Sequence, residues 1–448
     1  MRPEYDDKRG LLILKTEMTI TRKFLEMPIY SGEKKLDDLR LLTITDAHGS
    51  FLYHFVMPAK QDMSGSPDYY AGLDVSKFIG KKLVIDTEMP EEWIAGIIQT
   101  DEEITEFQHE ETRRRPGLHY TAPYGWLNDP NGLIYKDGIW HMYYQHNPMN
   151  TEWANMSWGH ATSRDLIHFE YEGDVMYPDM NGSMYSGCAI TNDRGCFDLP
   201  EGAILFFYTA AGDPTRLSKG IKCTQRMAFS LDGGKTLTKY EGWNLPNIAE
   251  GNRDPKIFRH EETTCYVMTL YLSGNRFGIF NSNDLKNWQN TQIMELPPMW
   301  ECPDLFPVGM GDGEKKWVFT SADGLYYIGS FDGRQFTAET EIQKMYANDI
   351  PYAAQTYSNA GERVISVAWL RINHCDGDNY TGAMSVPREL SLGKDDRGFY
   401  LRQRFVHEAA DFIFEDEDGT TVEDAGIKEN ISADGRQLTV TVKKQGRE

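Results

Sequence analysis

The 448-residue chain contains no run of about 18 apolar residues, so it offers no segment suited to a membrane-spanning helix. Its first residues, MRPEYDDKRGLLILKTEM, lack the apolar stretch of a secretory signal. Six cysteines, at 188, 196, 223, 265, 302 and 375, are scattered with no CxxC pair. That spacing argues against a disulfide framework or a zinc site. The expectation is a reduced, cytoplasmic protein, or a secreted one if an upstream signal has been removed. Basic residues are also short: 46 Lys and Arg stand against 68 Asp and Glu, for a formal net charge of −22. Such a balance disfavours nucleic acid or an anionic membrane as partner, because both require a basic surface.

Helical apolar periods are scarce, whereas strand signals are abundant. GAILFFYTA, TTCYVMTLYL, KKWVFTSADGLYYIGSF and RVISVAWLRI are short runs rich in β-branched and aromatic residues. Asp-Gly pairs at 137–138, 232–233, 323–324 and 332–333 fit hairpin turns between them. Ser-x-Asp recurs from Ser163, Ser230, Ser282 and Ser330, at intervals of 67, 52 and 48 residues. Set between strand clusters, that rhythm matches β-propeller blades, although a sandwich with coincidental turns produces similar spacing. The expected class is all-β. Residues 1–112 read as a small β-sandwich-like domain and a charged linker, 113–405 as a five-bladed propeller, and 406–448 as the start of a truncated sandwich or a tail.

Three carboxylates stand in distinctive settings: Asp129 in WLNDPNG, Asp254 in NRDPKIF and Glu301 in WECPDLF. Proline follows each directly or after one residue and stiffens the backbone that carries the acid. Asn128-Asp129-Pro130-Asn131-Gly132 taken alone reads as a turn, with Asp129 as a turn carboxylate. Taken together, three acids without a metal-ligand pattern suit glycoside hydrolysis, in which one carboxylate attacks or activates water and a carboxylic acid protonates the leaving oxygen. Arg253 is placed to keep Asp254 ionised, and the apolar neighbours Trp300, Leu305 and Phe306 to raise the pKa of Glu301. The histidines at 141, 146, 160 and 168 lack metal geometry and read as structural.

The set WLNDPNG, QHNP, WANMSWGHATSRDLIHF, YSGCAI, NRDPKIF, WECPDLF, YAAQTY and VPRELSL resembles glycoside hydrolase family 32, the invertases, levanases, inulinases and related β-fructosidases. The resemblance spans residues 118–393 and implies a five-bladed propeller acting with retention of configuration. It implies Asp129 as nucleophile, Glu301 as acid/base and Asp254 as transition-state stabiliser. It further implies a fructosyl pocket lined by Asn128, Gln145, Trp153, Tyr185, Ser186, Arg253, Cys302, Tyr352 and Trp369. No metal or organic cofactor is implied. The substrates would be sucrose, fructo-oligosaccharides or fructans. A fructosyltransferase, or a catalytically silent fructan-binding protein, would carry the same motifs. NRDP lacks the usual aromatic before RDP, RINHCDGDNYTGAMSVPREL lacks the Pro-Thr-x-x-Trp element, and the C-terminal sandwich is largely missing.

Overall fold

A computed structural model describes residues 2–6, 11–30, 39–58, 63, 65–105, 115–212, 217–310, 313–373, 378–410, 427–431 and 438–442. The centre of the expected linker (106–114), Cys375 and most of the expected tail fall outside the described residues. The chain is all-β, and the only α-helix among the described residues is the five-residue Glu91–Ala95. Among the described residues no helix is long and apolar enough to cross a membrane.

Near the N-terminus, two antiparallel sheets share one core. One sheet runs Arg2–Asp6, Leu11–Thr19, Lys82–Thr87, Arg40–Asp46, Phe51–Met57, and the other runs Tyr69–Asp74, Phe24–Ile29, Ile98–Thr100. Leu25, Met27, Ile29, Leu42, Ile44, Phe55, Leu73, Leu83 and Ile85 meet between them, fully buried. Tyr124 and Met149, from later in the chain, complete that core. Asn155 adds a strand-like clasp: its side-chain oxygen accepts from Val56 N–H, and its side-chain nitrogen donates to Val56 C=O, both at 2.8 Å. Leaving such buried groups unpaired costs about 1–3 kcal/mol each, so this junction is specific as well as apolar.

Residues 125–405 form five successive sheets whose main strands pair antiparallel in chain order. Their first strands are Gly125–Lys136, Ser183–Thr191, Arg253–Arg259, Asp304–Gly309 and Pro351–Thr356. Continuous apolar runs are explained by burial on both faces. In Ile204–Ala211, Leu205 and Phe207 face the third sheet, while Ile204, Phe206 and Tyr208 face the first. The same alternation puts Trp140, Met142 and Tyr144 against the fifth sheet and Tyr143 against the second. Further cores lie between the third and fourth sheets and between the fourth and fifth. Every sheet thus packs on two others, and the series of five cores returns to its start.

Hydrogen bonds between the first strands follow the same cycle. Gly187 N–H donates to Asn131 (3.2 Å), Ile257 N–H to the Cys188 sulfur (3.1 Å) and Thr356 N–H to Asp304 (2.8 Å). Lys256 pairs with Asp304 at 3.3 Å, and Ser358 bridges back to Ile134. The short strand Tyr380–Thr381 pairs in parallel with Gly125–Trp126, tying the last sheet's chain into the first sheet.

The Ser-x-Asp repeat marks one local device. In the first three sheets the turn after the third strand begins with a serine that donates to the aspartate two residues on, at 2.7–3.0 Å. The same aspartate oxygen then collects backbone N–H groups of the turn. In the fourth sheet Asp332 does this without the serine bond. Ser321-Ala322-Asp323, outside the repeat read from sequence, forms a further Ser–Asp bond at 2.5 Å. Asp137-Gly138 is a two-residue hairpin with both residues at positive φ, as Asp-Gly pairs favour.

Candidate active site

The expectation that Asn128–Gly132 forms a turn is not met. The whole run lies inside the strand Gly125–Lys136. Its turn-prone residues serve two β-bulges instead: Asn128 and Asp129 together oppose Gln145, and Gly132 and Leu133 together oppose Met142. Gly132 sits at φ 53°, where a Cβ would stand 2.9 Å from the Tyr143 ring, so both backbone and space require glycine. Turns and bulges draw on the same residues because both need unusual backbone angles.

The same two-against-one irregularity recurs in three other first strands. Tyr185 and Ser186 oppose Thr209, Asp254 and Pro255 oppose Leu270, and Ala353 and Ala354 oppose Ala368. Asp254 has φ 61° and Ala353 φ 50°. Before the fourth sheet's first strand, Glu301 and Cys302 take φ 52° and 38°. A bulge re-aims a side chain out of the regular alternation. Here each one falls on, or next to, an expected site residue.

Around Asp129 the hydrogen bonds close a ring. Ser186 donates to Asp129 Oδ2 at 2.6 Å, and Asn128 Nδ2 donates to Asp129 Oδ1 at 3.2 Å. Asn128 also donates to Gln145 (2.8 Å), and Gln145 donates to Ser186 (2.7 Å). Trp126, which the sequence did not single out, fixes Asn128 by donating from its indole to Asn128 Oδ1 at 2.9 Å. Both Asp129 oxygens thus accept from donors that are themselves fixed, and Asp129 is held in a single orientation.

A second group forms around Arg253. Its guanidinium bonds Glu301 Oε1, lies 3.6 Å from Asp254 Oδ2 and stacks 4.5 Å from the Tyr271 ring. Tyr352 donates to the other Glu301 oxygen at 2.8 Å. Cys302 joins the two groups: its N–H donates to Asp254 Oδ2 (3.2 Å), and its sulfur lies 3.5 Å from Asp254 Oδ2 and 3.6 Å from Asp129 Oδ2. Thr209 and Gln225 support Asp254 from behind, through Asp254 N–H to Thr209 (2.9 Å) and Thr209 to Gln225 (2.7 Å). Neither stood out in the sequence, since both lie in ordinary strand runs.

The remaining expected residues meet this network through rings. Trp369 makes edge contacts with Trp126 (5.8 Å) and Tyr352 (6.2 Å). Trp153 makes one with Tyr185 (6.2 Å) and is 44% exposed. The structure thus brings all twelve expected residues into one connected cluster. The four histidines stay outside it: His146 is buried between Asp174 and the Tyr124 carbonyl, His141 pairs with His160, and His168 pairs with Asp165 on the surface. Among the described residues no group of three His, Cys, Asp or Glu could hold a metal.

The electrostatic expectation for Asp254 is revised. Burial pushes the Asp254 carboxyl up to about 7, against the opposing effect of Arg253 and with help from Glu301 and Asp129. Arg253 therefore does not keep Asp254 in the ordinary carboxylate range. It bonds Glu301 instead, while Leu305 and Phe306 pack away into sheet cores and Trp300 is 41% exposed. Asp129 is also raised, by burial first and Glu301 second, while Ser186, Asn128 and Cys302 favour its charged form. Burial, then the three carboxylates, hold the Cys302 thiol well above its usual range, so it is present as S–H.

A stability prediction follows from Asp254. A carboxyl raised from 3.8 to about 7 favours the native state fully below pH about 4, and that contribution is lost as pH rises through about 7. Asp254→Asn carries no such dependence. Its unfolding free energy relative to the native sequence should climb between pH about 4 and about 8, by on the order of 4 kcal/mol. Denaturant unfolding across that range is the check, and a flat difference would contradict the buried-carboxyl account.

Comparison with known proteins adds the following. The family described as "Glycosyl hydrolases family 32 N-terminal domain" matches residues 119–404. A levanase of Bacillus subtilis (strain 168) is 33% identical over 329 residues, which cover 66% of this chain and 47% of that protein. The chain thus spans about half the length of that relative. A fructofuranosidase from Schwanniomyces occidentalis, solved in complex with fructosylnystose, superposes with a TM-score of 0.59 at 28% identity, over 71% of this chain and 64% of its own. A structure described as glycoside hydrolase family 32 from Bifidobacterium adolescentis has a TM-score of 0.58 over 93% of this chain and 80% of its own. At 19% identity that last likeness concerns the fold alone.

Proposed function

Because this chain belongs to glycoside hydrolase family 32, we propose that it is a retaining β-fructofuranosidase acting on sucrose, fructo-oligosaccharides or fructans. The observation that carries this reading is the pairing of two differently held carboxyls. Asp129 sits in a ring of neutral donors suited to a carboxylate nucleophile. Glu301 is gripped by Arg253 and Tyr352, a setting that suits an acid/base. In the reaction, Asp129 attacks C2 of the fructosyl unit while Glu301 passes a proton to the departing oxygen. Water then enters, gives its proton back to Glu301 and cleaves the fructosyl–Asp129 ester. Asp254, with Arg253 beside it, hydrogen-bonds fructose hydroxyls as positive charge develops at C2. Asn128, Gln145, Ser186 and Cys302 hold the sugar and the nucleophile. Trp153, Tyr185, Tyr352 and Trp369 wall the pocket.

The cycle of sheet contacts supports a five-bladed propeller over 113–405 that gathers these residues at one end of its first strands. The shared N-terminal core supports a separate sandwich within 1–112 that leans on the first blade. Of the expected tail, Val406 and Ala409 pack into the core between the first and fifth sheets. The deciding test measures fructose release from sucrose, inulin and levan in parallel, with proton NMR of the first-formed product. Initial release of the β-anomer is expected. Release of the α-anomer would overturn retention, and no release from any of the three would overturn the fructosidase reading.

A further inference from the structure

All ten tryptophans of the chain lie among the described residues, and only Trp153 and Trp300 are exposed, at 44% and 41%. Burying a ring of that size stabilises a fold by several kcal/mol, so leaving one in water calls for a reason. Both exposed rings belong to the same neighbourhood. Trp153 touches Tyr185, whose neighbour Ser186 bonds Asp129. Trp300 directly precedes Glu301 in the chain.

Trp300 is also rigidly mounted. Its carbonyl and that of Glu301 both accept from Ala322 N–H, at 3.0 and 3.1 Å, and the Ala322 carbonyl in turn accepts from Ala353, beside Tyr352. On the other side the preceding residue, Met299, is held by Asn275, which donates to its carbonyl at 2.9 Å. The indole leans on Tyr271 (5.4 Å between centroids), the ring that Arg253 stacks against as it grips Glu301. Trp300, Tyr271, Arg253 and Glu301 therefore form a closed loop of contacts. The loop fixes the exposed indole beside the residues that hold Glu301.

We propose that Trp300 is the platform for the leaving-side sugar, stacking the C–H face of the unit whose oxygen Glu301 protonates. This rests on the fructosidase reading. A general acid stands on the leaving-group side of the scissile bond, so a rigid aromatic surface fixed beside it meets that unit first. An indole gives a large apolar contact with little loss of conformational freedom, which suits a sugar ring held by few polar groups. The substrates favoured are accordingly those with a sugar, not a small alcohol, beyond the scissile bond.

The test compares kcat/KM for fructosylnystose and for methyl β-D-fructofuranoside, whose leaving group is too small to stack. In Trp300→Ala the ratio of the two should fall about tenfold, the effect of one lost stacking contact. Trp300→Phe should recover most of that ratio. An equal change on both substrates, or an unchanged ratio, would overturn the inference while leaving the fructosidase reading in place. A native protein that cleaves neither substrate would defeat both together.

Discussion

Asp129→Asn should lower fructoside turnover by about 10⁴-fold or more and leave the protein folded. The amide cannot form the fructosyl ester, so the first step of the proposed reaction is lost. The surroundings resist the change at one point, where the new amide NH2 would face the Asn128 NH2 that now donates to Asp129 Oδ1. An Asn oxygen can still accept from Ser186, as Asp129 Oδ2 does at 2.6 Å, and Gln145 keeps its own bond to Ser186. Removing the charge also relieves a buried carboxyl whose pKa is raised by burial and by Glu301. The variant should therefore unfold at the same or a higher temperature than the native protein at neutral pH, because functional sites hold groups that the fold alone would not choose. Initial rates at saturating substrate, with a melting curve on the same sample, decide the matter. Turnover near the native rate would exclude Asp129 as nucleophile.

The second large effect concerns Glu301→Gln. Losing a general acid costs about 10²–10⁴-fold in rate, and the loss should depend on how badly the leaving group needs a proton. A sugar leaving group should show the full loss, and p-nitrophenolate, which departs without protonation, a far smaller one at the first step. The site should otherwise survive. A glutamine keeps an oxygen for Arg253 and can donate to the Tyr352 hydroxyl in place of accepting from it. Measuring kcat/KM for a p-nitrophenyl fructoside and for sucrose separates the cases. Equal losses on the two would mean that Glu301 does not act as the acid.

Most of the candidate site was legible in the sequence because its marks are local. Asp-Pro at 129–130 and 254–255, and Glu-Cys-Pro at 301–303, each put an acid in an unusual backbone setting within a few residues. The all-β character followed from turns that are also local, such as Asp137-Gly138. What the sequence hid was direction. Trp300, Leu305 and Phe306 are neighbours of Glu301 in the chain, yet one faces solvent and two face different sheet cores. Arg253 adjoins Asp254 in the chain but hydrogen-bonds Glu301, 48 positions away. Cys302, expected beside the acid/base, points its sulfur between Asp129 and Asp254. Thr209 and Gln225 support Asp254 across strands and have no local mark at all.

The two bulges in Gly125–Lys136 have a consequence for how such a strand can change. Inserting one residue into a strand acts like a frameshift, since every side chain beyond it trades faces. The extra residue at Asn128–Asp129 shifts the phase, and the extra residue at Gly132–Leu133 shifts it back. Leu127 and Leu133 consequently share the core against the fifth sheet, and Ile134 still reaches the second. One irregularity frees the acid from the alternation, and the other repairs the alternation for the rest of the strand. Deleting one residue of either bulge would pair that stretch one-to-one and leave the residues beyond it opposite their present partners. Deleting one from each bulge would restore a regular ladder and a sound core with the carboxylate built back into the plain alternation. The five residues Asn128 to Gly132 thus carry both the displacement of the acid and its correction.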